Sequence, residues 1–291
     1  MVTNEARDIM SYKERIDRVI DFIGKHLDEE LELDELCRIA CFSKYHFHRL
    51  FTAYTGLPLM GYIKWLRLKK AAHQLIVHKE EKIINIALDA GFESHESFTR
   101  AFKQISGENP TDFRLKSSWH TWEVPPYSVP KGDTKMINVS IKELPARRLA
   151  VIEHYGDPKK VGGTASKLIA WAKAQPVNLK PKPGEAFGFG YGDPKEVPAE
   201  EFRFDLAITV PQTLKLDGEV IEKYLPADRY AVISHRGSRE AISEKIYWLY
   251  RDWLRESKEE LGDLPCIFCY YNFEHEVAET ELITEVWLLL K

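Results

Sequence analysis

Cysteine is scarce in this sequence, with four in 291 residues. Cys37 and Cys41 sit four apart, Cys266 and Cys269 form a CxxC within an apolar strand, and the two pairs lie far apart in sequence. A disulfide scaffold needs a denser framework and a zinc site about four ligands, so buried free thiols are the expectation. No uninterrupted apolar run approaches the length that spans a bilayer, so no membrane partner is expected. The first residues, MVTNEARDIMSYKERIDR, are charged throughout and lack an apolar h-region, which points to the cytoplasm rather than to secretion. There is no G-x-S-x-G, no cluster of metal ligands and no glycine-rich phosphate loop. No cofactor, no metal and no catalytic residue are therefore expected. Acid is also missing from one stretch: between Arg38 and Lys79 there are eight Lys/Arg and no Asp or Glu.

What is present is enough for two cores, since 291 residues exceed one typical domain. Hydrophobic content of 44% and charged content of 30% are those of a globular protein. The net charge of −4 argues against a polyanionic partner only until its distribution is read. Residues 5–35 carry eleven acids against five bases, immediately before the acid-free stretch. Such segregation makes one basic face suited to phosphates.

The stretch KIINIALDAGFESHESFTRAFKQISGENPTDFR (82–114) reads as two short helices around a sharp turn. Ile83, Ile84, Ile86, Ala87 and Leu88 are the expected buried stripe of the first helix. Gly91 follows, where a helix ends most easily in a left-handed conformation, and Phe92 plugs the space between the helices. Ser94 is the N-cap of the second helix, and Phe98, Ala101, Phe102 and Ile105 are its inward face. His95, Glu96, Ser97 and Arg100 then point outward from its first two turns. Upstream, CFSKYHFHRLFTAYTGLP repeats the theme: Ser43 caps a helix that buries Phe47, Leu50, Phe51 and Tyr54, with Lys44, Tyr45, His48 and Arg49 outward. Between the two lies Leu59 to Val77, free of proline and helically periodic. Two amphipathic helices, over 11–28 and from Leu33, precede all of this.

The pattern IAxxxGFxSxxxFxRxFKxxxGxxPxxFR, with SKYHFHRLF…TG before it, resembles the DNA-binding domain of the AraC family of bacterial transcription regulators. The resemblance implies two helix-turn-helix reading heads within residues 9–116. Tyr45, His48 and Arg49 then stand where the first head touches bases, and His95, Glu96, Ser97 and Arg100 where the second does. Arginine suits the task because its fork meets guanine O6 and N7 bidentately. Glu96 either accepts from cytosine N4 or is a solvated residue favoured by the helix dipole, and the sequence leaves both open. A connector of about 20 residues is roughly 30 Å long, close to the turn of about 34 Å between successive major-groove faces. One chain can thus enter two adjacent major grooves of double-stranded DNA, at an asymmetric site because the heads differ. Lys64 and Arg67 on the connector are expected phosphate contacts. Activation, through RNA polymerase, is implied by the resemblance alone.

Residues 117–136 contain three prolines and no periodicity, and read as a linker. From 137 onward short strands rich in Val, Ile and aromatics alternate with two helices. LAVIEHYGDPKK followed by KLIAWAKA corresponds to YAVISHRGSREA followed by EKIYWLYRDWL, and two strands follow each. Two βαββ units forming one antiparallel sheet, with both helices on one face, are the expectation. The fold class is therefore multidomain, all-α tandem helix-turn-helix followed by α+β. This arrangement, with GYGDPKEVPAEEFRFD, resembles the GyrI-like effector-binding domain of Rob-type regulators over 137–291. Along the last strand, Leu282, Thr284, Val286, Leu288 and Leu290 point one way, towards the helices, and Ile283, Glu285, Trp287 and Leu289 the other. A carboxylate among aromatics attracts a lipophilic cation, and the resemblance implies that Glu285 anchors the effector. Trp287, Tyr271, Tyr247, Phe204 and Tyr191 are the candidate walls. A hydrolase of a reactive small molecule, or a module binding DNA gyrase or RNA polymerase, are the alternative readings of this half.

Overall fold

The computed structural model describes residues 10–116, 122, 137–175, 179, 181–194 and 197–291. Apart from Trp122, the expected linker lies outside the described residues. The chain divides into two compact units, Met1–Phe42 with Leu50–Val129, and Ser43–Arg49 with Pro130–Lys291. Among the described residues no helix is long and apolar enough to cross a membrane.

Among the described residues seven helices make the first half: α1 (Tyr12–Lys25), α2 (Leu33–Ala40), α3 (Lys44–Thr55), α4 (Leu59–Val77), α5 (Ile83–Asp89), α6 (His95–Ser106) and α7 (Pro110–Lys116). The first begins with a capping box, in which Ser11 and Glu14 satisfy each other's backbone N–H. Ile16, Val19 and Ile23 are its buried stripe. After α5, Gly91 adopts φ +78, and the Phe92 N–H closes onto the Ala87 carbonyl at 3.0 Å. Ser94 caps α6 by accepting from the Ser97 N–H, and Phe98, Ala101 and Phe102 are buried beneath it.

Two expectations fail here. Ile84 and Leu88 are 37% and 54% exposed. They stand i, i+4 on the outer face, and Ile86 and Ala87 alone are fully buried. Cys41 is exposed rather than buried. It occupies the place in the first helix-turn-helix that Gly91 fills in the second, with φ +53 after α2. Trp122, inside the expected linker, is fully buried, with its ring 5.2 Å from that of Phe102.

The described residues of the second half build one sheet of eight antiparallel strands: β1 (Ser140–Leu144), β2 (Arg147–Tyr155), β3 (Ala186–Gly190), β4 (Arg203–Thr209), β5 (Ile221–Leu225), β6 (Asp228–Arg236), β7 (Cys266–Tyr270) and β8 (Ile283–Leu289). Their order is β1-β6-β8-β7-β3-β4-β2-β5. Helix α8 (Val161–Ala174) follows β2. After β6 come α9 (Ile242–Trp248), a π-helical turn (Leu249–Trp253) and α10 (Leu254–Ser257). The expected βαββ repeats are β2-α8-β3-β4 and β6-α9/α10-β7-β8. The sequence reading lacked the edge strands β1 and β5, which are exchanged between repeats: β1 pairs with β6 and β5 with β2.

The sheet has two differently packed faces. Ala150, Ile152, Ala186 and Ile208 form one cluster with Leu168, against which Trp171 also packs, so this face meets α8. The opposite, inner face packs Leu149, Val151, Phe187, Phe189, Tyr230, Ile267 and Trp287 against one another. Cys266 and Cys269 are three apart in β7 and so point to opposite faces.

Candidate functional site

On the helical half, the side chains that carry chemistry gather around the second helix-turn-helix. Lys64 on α4 and Ser97, Arg100 and Gln104 on α6 line one cleft of about 370 Å³ with Gly91 and Phe92. Lys64 places its ammonium 5.7 Å from the centre of the Phe92 ring, so the plug of the turn also steers a cation. His95, Glu96 and Arg100 are exposed on the first two turns of α6, as the periodicity predicts, and Ser97 is half-buried. Glu93 also lines this cleft, and the α6 N-terminus points its dipole towards it.

The first head differs. Lys44 is exposed and His48 is half-buried, but Arg49, expected to point outward, is only 3% exposed. It belongs to the second compact unit, where its guanidinium donates to the Gly192 carbonyl at 3.4 Å. In the same unit the Tyr45 hydroxyl donates to Asp263 at 2.7 Å, and burial pushes its pKa up to about 12. Arg67 also departs from its expected role. Its guanidinium donates to the carbonyls of Leu27 and Glu29, at 3.2 and 3.4 Å, and so secures the turn after α1. A group committed to two backbone acceptors is poorly placed to reach a phosphate.

On the inner face of the sheet, Glu285 is the organising group. Its side chain is 12% exposed. The Trp287 indole N–H donates to it at 2.8 Å and the Lys142 ammonium at 3.1 Å. Tyr271 lies beside it, and burial followed by the charge of Glu285 pushes the Tyr271 hydroxyl up to about 12. The same two causes, burial first, push the neighbouring Cys269 thiol up to about 12. Trp287 is 2% exposed, its ring 5.6 Å from Phe187 and 5.9 Å from Tyr230. Arg147 lies over both Phe187 and Trp287, 5.4 and 5.7 Å from their centroids, and donates to the Gly184 carbonyl at 2.6 Å. This resident guanidinium and Lys142 were missed by sequence reasoning, because both come from strands whose pairing periodicity does not reveal.

The expected walls divide accordingly. Tyr191 stands on the inner face with Tyr271, where its hydroxyl donates to Asp205 at 2.7 Å. Phe204 does not: it alternates with Asp205 and so faces the helices, its ring filling the space over Gly188. Tyr247 is on α9, and its hydroxyl donates to Asp193 at 2.9 Å. Neither belongs with Glu285.

Residues 137–291 match the GyrI-like small molecule binding domain, and residues 36–116 match a helix-turn-helix domain family. The probable transcriptional regulator YgiV of Escherichia coli (strain K12) is 30% identical over 158 residues, which cover 53% of this chain and 96% of YgiV. Other relatives share the helical half. The uncharacterized HTH-type transcriptional regulator YbfP of Bacillus subtilis (strain 168) is 37% identical over 105 residues, 36% of this chain, and the chain covers only 35% of YbfP. The transcriptional regulator Rob of Salmonella typhimurium is 38% identical over 101 residues, 35% of each chain. By the match over more than half its length, this chain belongs to the family of GyrI-like small molecule binding proteins, with an AraC-type helix-turn-helix region ahead of that domain.

Proposed function

We propose that this protein is a transcription activator that reads double-stranded DNA with its helical half and answers to a small lipophilic cation bound beside Glu285. The observation that carries the DNA reading is the cleft that joins Lys64 to Ser97 and Arg100 on the exposed start of α6. Arg100 reads base edges, Lys64 meets the backbone, and Lys44 and His48 present the first head. Helix α4 has 19 residues, about 28 Å at 1.5 Å per residue. That length lets one chain address two adjacent major grooves at an asymmetric site. RNA polymerase is the partner that activation requires.

The effector reading rests on Glu285, a carboxylate held on a largely buried face with aromatic neighbours. A ligand cation replaces Lys142 as its counter-ion, and the surrounding rings supply apolar contact.

Gel shifts test the DNA half. Arg100→Ala should cost about 1–3 kcal/mol on the specific site and relax base preference at one position. Lys64→Ala should weaken specific and random DNA alike and reduce the salt dependence. Equal losses for both variants on both DNAs would remove the assignment.

A further inference from the structure

The two repeats of the sheet carry the same polar site twice, and one copy is already filled. Aligning LAVIEHYG with YAVISHRG makes β2 equivalent to β6, and the strand registers carry the equivalence outward. Asp205 opposite Glu153 then corresponds to Glu285 opposite Ser234. Lys223 opposite Leu149 corresponds to Lys142 opposite Tyr230. Phe189 opposite Asp205 corresponds to Cys269 opposite Glu285, so Tyr191 and Tyr271, two residues further on, are twins. The contacts agree with the register. The Tyr191 hydroxyl donates to Asp205 at 2.7 Å and Tyr271 stands at the equivalent place beside Glu285, and each lysine, brought in by an exchanged edge strand, pairs with its acid, at 2.6 Å in the first repeat and 3.1 Å in the second.

Two positions differ: Glu153, opposite Asp205, accepts from Arg203 at 2.5 Å and Lys223 at 2.6 Å where the second repeat has Ser234, and the residue two before the acid changes. In the first repeat it is Arg203, whose guanidinium meets Asp205 side-on at 3.0 and 3.1 Å and lies 4.1 Å from the centre of the Tyr191 ring. In the second repeat the equivalent residue is Ile283, 37% exposed, which brings no charge. Arg147 lies over the Phe187 and Trp287 rings, while Tyr271, half-buried, is the ring equivalent to the one that Arg203 meets in the first repeat. The lysine of the second copy is the looser one, with a side chain 41% exposed that returns to water at little cost.

Taking Glu285 as the effector anchor, we propose that the effector carries a planar cation of the guanidinium or amidinium type. It stacks on Tyr271, meets Glu285 side-on and displaces Lys142, reproducing what Arg203 does in the first repeat. A planar fork satisfies both carboxylate oxygens and lies flat on a ring at once. A tetrahedral ammonium does one or the other.

Calorimetry on the full chain with benzamidine, benzylamine and benzamide tests this. Benzamidine should bind at least about tenfold more tightly than either of the others, and Glu285→Gln should erase that preference. Ile283→Arg should tether a guanidinium in the site and abolish benzamidine binding, while Ile283→Gln, similar in reach but uncharged, should keep it. Thermal melts should show both Ile283 variants folded, because the position is partly exposed. Benzylamine binding as tightly as benzamidine, with both lost in Glu285→Gln, would overturn the planar-cation inference and leave Glu285 as the anchor. Benzamidine binding equally to Ile283→Arg and the parent would overturn the inference drawn from the twin site. Binding unaffected by Glu285→Gln would remove the anchor itself.

Discussion

At the scale of single residues, the period of two along the last strand was the most informative signal. It put Glu285 and Trp287 on one face and Thr284 and Val286 on the other, and the register agrees: Glu285 lies opposite Cys269 of the inner cluster, and Thr284 opposite Tyr270, which packs on the helix side. Where the alternation is read within one strand it suffices; where a side chain must be placed across strands it does not. Phe204 was grouped with Glu285 for that reason, and Tyr247 because it lies on α9, where its hydroxyl meets Asp193 instead. The Trp287 indole adds a donor that only geometry shows, and it ties the aromatic core to the charge. Trp287→Phe keeps most of the ring contact with Phe187 and Tyr230 but deletes this N–H. A hydrogen bond to a charged acceptor is worth about 1.5–3 kcal/mol. Urea denaturation should therefore show a loss of this order in the parent chain and a smaller one in a Glu285→Ala background, where the acceptor is gone. Equal losses in both backgrounds would mean that packing, not the bond to Glu285, accounts for the change.

At the scale of elements, the helices were legible because caps and stops are local. Ser11, Ser94 and Gly91 do what their chemistry predicts within a turn of their own position. Edge strands β1 and β5 were not, because both are short and mostly exposed or half-buried, with no apolar alternation to mark them. The two helix-turn-helix elements differ at their corner, Cys41 in one and Gly91 in the other. Gly91 has φ +78, and a Cβ there would stand 3.1 Å from a guanidinium nitrogen of Arg67. Gly91→Ala should cost roughly 1–2 kcal/mol from the left-handed backbone alone. The push on Arg67 should also loosen the turn after α1. Hydrogen exchange would report that loosening at Leu27–Glu29, whose carbonyls Arg67 holds. Unchanged protection there would mean that Arg67 shifts aside without releasing the turn.

At the scale of the whole second half, the sequence repeat led to two βαββ units in one antiparallel sheet, and the topology adds that the units exchange their edge strands. Strand β1 belongs by sequence to the first repeat, yet it lies along β6 with Ser140 opposite Val232. Strand β5 precedes the second repeat, yet it lies along β2 with Leu149 opposite Lys223. The centre is shared too, where β3 pairs with β7. Each repeat alone would therefore lack an edge strand that the other supplies and would expose the β3 or β7 edge. Each would also lose one lysine from its acid, because Lys142 and Lys223 ride on the exchanged strands. Fragments of about 80 residues or fewer bury little apolar surface and are marginal on their own. Cutting residues 137–291 at Gly218, a turn glycine with φ +65 between β4 and β5, tests this without touching a strand. Neither piece should unfold cooperatively in urea by circular dichroism. Mixed at equal concentration, they should recover strand signal and a single transition whose midpoint rises with concentration. A cooperative transition in either piece alone would show that the repeats are independent and that the strand exchange adds nothing to their stability.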